Sequence, residues 1–311
     1  MLIAVLLLLA GVAVLPFAAD RFVVAATHIS RSLGVSPVLV GALLVGFGTS
    51  LPEMVVSGLA ASRGEADFAV ANIVGSNVAN LALVLGGAAI IAPVLAHKEI
   101  IRREGPLVLA VTILYVGLLI DDRVQRWEAG VLLAALVGAL YLLVRWSRMD
   151  MQQADQLAAP FVAIRPELTA ALLTMMATVL AATALIEGAE RLAEELEIKS
   201  AVIGVSLVAV GTSLPELATA LAAIRRRAGD LVLGNVLGSN LFNVLAVGGV
   251  AGLLGPGAID PDFAILLVIM LVLTALTGFL VISGNQLVRW EGFVLLASFI
   301  GFITVAAPAL A

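Results

Sequence analysis

Long apolar stretches follow one another along the whole chain, and short polar connections separate them. They predict ten membrane-spanning helices, at about residues 2–26, 36–61, 67–92, 105–120, 126–146, 167–188, 199–224, 230–254, 262–282 and 289–309. A helix needs roughly 20 consecutive apolar residues to cross the hydrocarbon core of a bilayer. Membrane β-barrels show short alternating segments instead, so the pattern predicts an all-α polytopic membrane protein.

The longest polar connection, SRMDMQQADQLAAPFVAIRPE, begins at Ser147 and divides the ten spans five and five. We therefore predict a first repeat over residues 1–146, a cytoplasmic linker over 147–166 and a second repeat over 167–311. Adding 163 to a position in the first repeat gives its counterpart in the second, as from Glu53 to Glu216. Between residues 48–80 and 211–243, 14 of 33 positions are identical, and the shared residues include Gly, Pro, Glu and Asn.

Each repeat contains an odd number of spans, so the second repeat enters the membrane from the side opposite to the first. The duplication therefore predicts inverted topology, which is typical of many secondary transporters. Lys and Arg are concentrated in the connections that follow the odd-numbered spans, among them Arg225, Arg226 and Arg227. Because basic residues accumulate on the cytoplasmic side, we expect both termini outside.

Composition agrees with a membrane protein and excludes several function classes. Hydrophobic residues make up 62% of the 311 residues and charged residues only 13%, against roughly 25% charged in soluble domains. The absence of Cys excludes thiol catalysis, disulfides and Cys-based metal sites. No basic tract indicates nucleic acid, no HExxH motif or nucleophile–base pair indicates an enzyme, and no cofactor is expected. The first apolar stretch lacks the features of a cleaved signal peptide, so we interpret it as a retained helix.

The hexapeptide GTSLPE occurs twice in the middle of apolar spans, at residues 48–53 and 211–216. It places Glu53 and Glu216 at equivalent depths, where an ionisable side chain costs at least about 2.5–3.5 kcal/mol to insert. Such residues mark ion pathways by default, although stray buried carboxylates are the alternative. Pro52 and Pro215 should break or kink the two helices and free backbone carbonyls, which is tolerated at this depth only around a cavity or inside protein.

The spans that follow each hexapeptide add more oxygen atoms. Asn72, Ser76 and Asn80 are spaced by four residues and share one helix face, and the second repeat has Asn, Ser and Asn at the equivalent positions 235, 239 and 243. Hydrogen bonding between helices is the alternative role for these side chains. Together with the hydroxyls of the hexapeptides, they form an all-oxygen ligand set, which suits a hard cation such as Ca²⁺ or Na⁺ rather than a soft transition metal.

The doubled GTSLPE motif, each copy followed by the Asn/Gly/Ser/Asn run, resembles the repeats of the calcium/cation antiporter superfamily. The chain looks most similar to the prokaryotic sodium/calcium exchangers, over essentially its whole length. The resemblance implies a central site between the second, third, seventh and eighth helices, with the long first and sixth helices sliding to alternate access. It also implies that Gly46 and Ala209 offer backbone carbonyls. The implied site residues are Thr49, Ser50, Glu53, Ser76, Asn80, Thr212, Ser213, Glu216, Ser239, Asn243, Gly46 and Ala209.

Three positions bear on the coupling ion. Asn243 stands where several members, notably the potassium-dependent ones, have Asp, so potassium transport is disfavoured. Thr49 and Thr212 stand where the proton-coupled branch typically has Asn, which favours sodium. The resemblance therefore implies a monomeric Na⁺/Ca²⁺ antiporter of a bacterial or archaeal cytoplasmic membrane, which extrudes Ca²⁺. A Ca²⁺/H⁺ antiporter, a K⁺-dependent exchanger and a cation channel remain as alternatives.

Overall fold

A computed structural model describes residues 1–153, 164–196 and 211–309, and almost all of them lie in helices. The helices are α1 (Leu2–Leu33), α2 (Pro37–Thr49), α3 (Leu51–Ser62), α4 (Ala66–Ile91), α5 (Lys98–Arg102), α6 (Glu104–Leu118), α7 (Arg126–Gln153), α8 (Ile164–Glu195), α9 (Leu214–Arg225), α10 (Gly229–Leu254), α11 (Phe263–Gly284) and α12 (Arg289–Ala309). Four short strands connect them: β1 (Val94–Leu95), β2 (Arg123–Val124), β3 (Gly257–Ala258) and β4 (Gln286–Leu287).

The described helices confirm the predicted all-α membrane fold. Seven of them are long and apolar enough to cross a membrane, and the bent pair α2–α3 gives an eighth span among the described residues. Helix α6, with 15 residues, occupies the place of the predicted fourth span. Helix α9 is the described end of the predicted seventh span, whose beginning falls in 197–210, outside the described residues. The total of ten spans therefore stays a prediction.

Helices α1 and α8 are longer than the apolar pattern predicts, because a helix can continue through polar residues once it leaves the lipid. Each has 32 residues, which corresponds to about 48 Å at 1.5 Å per residue. A bilayer core is only about 30 Å thick, so both helices must tilt or protrude. The predicted linker 147–166 is likewise helical at both ends, since α7 continues to Gln153 and α8 begins at Ile164.

The pair α1–α8 has the most extensive helix–helix contact in the described part of the chain. Two glycines make this close approach possible. A Cβ atom at Gly11 would lie 2.8 Å from the carbonyl oxygen of Ala181, and one at Gly188 would lie 2.9 Å from that of Ala4. Small residues at such crossings let helix backbones touch in membranes. Helices α1 and α8 therefore pack as a closely fitted pair.

Helices α4 and α10 form the centre of the molecule. In each of them, 83% of the most apolar 18-residue stretch is buried, whereas only 28% of the corresponding stretch is buried in α1 and in α8. The difference means that α1 and α8 expose most of their surface to lipid, while α4 and α10 are surrounded by protein. Helix α10 also packs closely against α2 of the other repeat.

The strand pairs reveal how the two repeats are oriented. Strand β1 pairs antiparallel with β4, and β2 pairs antiparallel with β3. The offset of 163 makes β1 equivalent to β3 and β2 equivalent to β4, since 94 + 163 = 257 and 123 + 163 = 286. Helix α6 runs from β1 to β2, and α11 runs from β3 to β4. The start of α6 therefore lies beside the end of α11, and the end of α6 lies beside the start of α11. These two equivalent helices run in opposite directions, so the repeats are inverted.

The repeated tripeptide RWE joins neighbouring spans at these ends. The Arg126 guanidinium donates to the carbonyl oxygen of Leu253 at 3.5 Å, and that of Arg289 donates to Ile91 at 3.3 Å. Both acceptors are at the C-terminal ends of central helices, where a cation is favourable. The glutamate of each tripeptide accepts a backbone N–H just before its own helix. RWE is thus a structural feature that ties α7 to α10 and α12 to α4.

Candidate cation site

Both GTSLPE motifs break their helices at the same residue. Helices α2 and α3 meet at an angle of 45°, and Ser50 between them has φ −85° and ψ 2°. Its counterpart Ser213, just before α9, has φ −90° and ψ 6°. Pro52 and Pro215 lie in the first turn of the helices that follow, where a missing N–H is tolerated. The breaks therefore occur where the prolines predict them.

Three π-helical segments surround these breaks, and the sequence pattern did not predict them. They comprise Gly41–Gly46 in α2, Asn80–Leu85 in α4 and Asn243–Val247 in α10. The last two begin at equivalent asparagines, both of which are candidate site residues. A π-helical turn widens the helix by one residue and is frequent at functional sites. In this chain two of these segments interrupt the regular α-helical ladder directly at the candidate site residues Asn80 and Asn243.

The two glutamates from the inverted repeats are buried together. Glu53 is 1% exposed and Glu216 is fully buried, and their carboxylates lie close enough for their charges to interact. The Thr49 side chain of the other repeat lies beside Glu216. Within the described residues, none of the four carboxylate oxygens has a hydrogen-bond donor. Buried carboxylates without partners are costly, so these oxygens are suited to a positively charged ligand.

Most of the other predicted ligand side chains also have buried polar atoms without a hydrogen-bond partner in the described part of the chain. Buried side-chain atoms without a hydrogen-bond partner among the described residues occur at Ser50, Ser76, Asn80, Ser213 and Asn243. Native proteins leave few buried polar atoms unpaired. Counting the two glutamates, seven residues share this property, and six of them form three equivalent pairs from the two repeats. This is an unusual concentration of unpaired oxygen and nitrogen atoms.

The two threonines of the hexapeptides differ from the serines. The Thr49 hydroxyl donates to the carbonyl oxygen of Val45 at 2.9 Å, so its lone pairs remain available to a cation. Thr212 is half-buried. The structure thus places both threonines beside the breaks without giving them the same surroundings.

Gly46 connects the two repeats through its carbonyl group. The Ser239 hydroxyl of α10 donates to the carbonyl oxygen of Gly46 at 3.3 Å. The glycine also packs directly on α10, because a Cβ atom there would lie 2.8 Å from the Ser239 nitrogen and 3.0 Å from the Asn235 oxygen. Gly46 and Ser239, both predicted site residues, are therefore in contact. Their counterpart contact would involve Ala209, which lies outside the described residues.

Two equivalent asparagines, each on the predicted polar face of its own helix, hold the glutamate helices in position. Asn72 donates to the Ser57 hydroxyl at 2.8 Å and to the backbone carbonyl of Glu53 at 3.4 Å. Asn235 makes the equivalent bond to the Glu216 carbonyl at 3.4 Å. Their amides are thus engaged in interhelical hydrogen bonds, which was the alternative role for this face.

The hydroxyl partners of these asparagines were missed by sequence reasoning. Ser57 supports Asn72, and Thr219 accepts from Asn235 at 3.2 Å. The two hydroxyls are not equivalent by the offset, since 57 + 163 = 220, so comparison of the repeats gives no signal for them. Asn240 was also missed: it is buried, and both of its amide atoms lack a partner within the described residues.

The ligand atoms available at the site determine which ion it can bind. It contains two carboxylates, several hydroxyls, amide groups and at least one backbone carbonyl, and the described residues contain no cluster of three or more His, Cys, Asp or Glu. Two ionised carboxylates would give the site a charge near −2. Hard cations prefer such oxygen ligands, and Ca²⁺ accepts six to eight of them in flexible geometry. The residues present therefore fit a bound Ca²⁺ or Na⁺.

Inverted membrane repeats with broken helices around a buried oxygen site are typical of secondary cation transporters. Comparison with known proteins defines the group more closely. The family model described as "Sodium/calcium exchanger protein" matches residues 3–145 and 167–307. The chain belongs to this sodium/calcium exchanger family, and the resemblance seen in the sequence is confirmed.

Relatives in bacteria and archaea match along nearly their full length. The Alkalimonas amylolytica protein CaxA, which is named as an antiporter, is 37% identical over 97% of this chain and 98% of its own. The inner membrane protein YrbG of Escherichia coli is 35% identical over 89% of both chains. The sodium/calcium exchanger MaX1 of Methanosarcina acetivorans is 28% identical over 96% of this chain and 97% of its own.

Solved structures of the sodium–calcium exchanger NCX_Mj have the same fold. One, from a crystal soaked with Na⁺ and Sr²⁺, superposes with a TM-score of 0.87 and 28% identity over 97% of this chain and 98% of that chain. Another, soaked without Na⁺ and Ca²⁺, gives a TM-score of 0.87 and 29% identity. The fold and the family together identify the chain as a membrane cation antiporter whose substrates include Ca²⁺.

Proposed function

We propose that this protein is a Na⁺/Ca²⁺ antiporter that exports Ca²⁺ from the cytoplasm at the expense of the sodium gradient. The observation that carries the proposal is the buried pair Glu53 and Glu216, whose four oxygens have no hydrogen-bond donor within the described residues. A carboxylate pair of this kind needs two positive charges. One Ca²⁺ supplies them, and so do two Na⁺.

The charge of the site also accounts for obligatory exchange. An empty site near −2 would have to cross a region of low dielectric uncompensated, which is costly. A site loaded with Ca²⁺ or with Na⁺ is close to neutral in its surroundings, so only loaded carriers change state readily. Because both ions use the same oxygens, they exclude each other, and net transport of one requires counter-transport of the other.

Sodium as the coupling ion is supported by the ligand types. Thr49 and Thr212 supply hydroxyls where proton-coupled members typically have Asn, and Asn243 lacks the charge of the potassium-dependent members. MaX1 and NCX_Mj, both named as sodium/calcium exchangers, match nearly the whole chain. These comparisons support the same coupling ion for this protein.

Alternating access is proposed to occur by movement of the α1–α8 pair across the rest of the molecule. Helix α8 touches the start of both hexapeptides, because a Cβ atom at Gly48 would contact the Met175 side chain and one at Gly211 would contact Ile186. Sliding of α8 would therefore act on both breaks together. Each break is at the start of a glutamate helix, so the movement would open one half of the site as it closes the other.

A Ca²⁺/H⁺ antiporter is the second candidate, because unpartnered buried carboxylates can also accept protons. A K⁺-dependent exchanger or a cation channel has no specific observation in its favour. We further propose that the protein acts in the cytoplasmic membrane as a monomer with both termini outside, has no enzymatic activity and needs no cofactor.

The deciding experiment is Ca²⁺ uptake into proteoliposomes that contain the purified protein. Uptake driven by an outward Na⁺ gradient, and unchanged when a pH gradient is collapsed, supports Na⁺/Ca²⁺ exchange. Uptake that follows the pH gradient and ignores Na⁺ would instead establish the Ca²⁺/H⁺ antiporter. Flux that follows voltage without any counter-ion would establish a channel. The variant Glu216→Gln serves as the inactive control.

A further inference from the structure

A large apolar cavity lies outside the cation site, on the lipid-facing side of the molecule. It has a volume of about 300 Å³ and lies between α4, α5, α6, α10 and α11. Leu85, Leu233 and Val281 are among the residues that line it, and Phe279 and Ile282 stand at its edge with 67% and 57% of their surface exposed. In a membrane-spanning chain, exposed apolar residues at this depth face lipid, so the cavity opens towards the acyl chains of the bilayer.

The walls of the cavity offer no free hydrogen-bond donor from their threonines. The hydroxyls of Thr274 and Thr277 donate to carbonyl oxygens of their own helix, each at 2.8 Å. An ordered water needs two to four polar partners in such a space. The occupant that matches the walls is therefore an apolar chain rather than water.

A basic segment adjoins the cavity. The short helix α5 contributes Ile100 and Ile101 to the cavity lining, and it exposes Lys98 and Arg102, four residues apart and so on one face. Neither cation forms an ion pair with any residue that the structure describes. Glu99 on the same helix reduces the local positive charge without cancelling it.

We propose that this cavity binds one acyl chain of an anionic phospholipid, with the phosphate group held by Lys98 and Arg102. The apolar cavity adjoins the two cations, just as the acyl chain of a phospholipid adjoins its charged headgroup. Basic residues at a membrane surface attract anionic lipids, and the long apolar stems of Lys and Arg suit this boundary. The binding does not depend on the proposed transport function.

The position of the cavity connects it to the cation site. Leu81, on its inner wall, follows Asn80 at the start of a π-helical segment, and Leu237 lies two residues before Ser239. A bound acyl chain therefore packs behind the backbone that presents the site side chains.

Spin-labelled lipids test the proposal in vesicles that contain the full-length protein. The wild type should hold spin-labelled phosphatidylglycerol in a motionally restricted form roughly fivefold more strongly than phosphatidylcholine. This is the factor expected for about one net positive charge at the surface, since Glu99 offsets one of the two basic residues. The double variant Lys98→Gln/Arg102→Gln should lose this preference and keep the restricted phosphatidylcholine. Equal restriction of both lipids by the wild type, or a preference that survives the double substitution, overturns the proposal.

Filling the cavity tests the acyl-chain part separately. Gly278 faces the cavity, and no atom lies within 4 Å of a Cβ atom built there, so Gly278→Leu should fill the space without a clash. This variant, and independently Ala275→Leu, should release one restricted lipid of either type per protein. Gly301→Leu is the matched control, because Gly301 is equally open but lies outside the cavity. Retention of the wild-type number of restricted lipids by both filled variants refutes the assignment.

Discussion

The spacing between α2 and α10 can be tested by adding a single methyl group. The substitution Gly46→Ala leaves the backbone carbonyl in place but puts a Cβ atom 2.8 Å from the Ser239 nitrogen and 3.0 Å from the Asn235 oxygen. Carbon contacts are ordinarily about 3.5 Å or longer. Both neighbours are backbone atoms, so no side chain can rotate away. The helices must separate by roughly 0.5–0.7 Å to reach that distance.

This separation should affect the site more than the fold. Overpacking of this kind costs about 1–3 kcal/mol of stability. The hydrogen bond from Ser239 to Gly46, now 3.3 Å, would lengthen beyond hydrogen-bonding distance. Metal–ligand distances tolerate only about 0.2 Å of error, so the apparent KM for Ca²⁺ should rise at least about tenfold, which corresponds to about 1.4 kcal/mol.

Radiolabelled Ca²⁺ uptake in proteoliposomes, with thermal unfolding measured on the same preparations, checks this expectation. Gly87→Ala is the matched control, because its Cβ atom would meet only the flexible end of Leu217 at 3.6 Å. The control should keep the wild-type KM. If Gly46→Ala also keeps the wild-type KM while remaining folded, the close contact between α2 and α10 does not set the geometry of the site.

Four further substitutions test other parts of the structure. Glu53→Gln and Glu216→Gln should each abolish Ca²⁺ transport with no loss of the folded, monodisperse protein, and near-normal uptake by either would remove that residue from the site. Asn243→Asp should add a third carboxylate and change the preference between cations. Competition of Na⁺ and K⁺ against Ca²⁺ uptake measures this preference. A preference identical to that of the wild type would place Asn243 outside the site. Asp20→Asn removes a bidentate ion pair with Arg226, formed at 2.6 Å for both bonds between α1 and the α9–α10 turn. Both side chains are about 40% exposed, so the loss should shift the equilibrium between the two access states of the transporter by at most about 1 kcal/mol. The accessibility of a cysteine introduced near the site measures this shift. A much larger change would contradict a surface ion pair.

The sequence predicted those features that depend on residue type and spacing. The two breaks follow from proline chemistry, and the paired glutamates follow from the cost of a charge in a membrane. The inverted arrangement follows from an odd number of spans in each repeat, and the strand pairs support it. For the breaks and the glutamates, one property of a residue type, repeated at an offset of 163, was sufficient.

Other features depend on geometry that leaves little trace in the sequence. The π-helical segments at Asn80 and Asn243 arise from a one-residue change in hydrogen-bond register, which no side-chain pattern specifies. The support of Asn72 by Ser57 depends on how two helices face each other. The paired strands have two residues each, too few for a periodic signal. The assignment of individual ligands, including Ala209 outside the described residues, remains a prediction.

The pairing of strands between repeats also constrains the order in which the chain is made. Synthesis runs from the N-terminus, so β1 and Glu53 are made long before their partners β4 and Glu216 exist. During that interval the first repeat holds a carboxylate at mid-membrane with neither its counterpart nor the Ser239–Gly46 contact. The protein therefore completes its assembly only after the connection between its last two helices emerges, and a chain truncated before residue 287 should be recognised by the cell as unfinished.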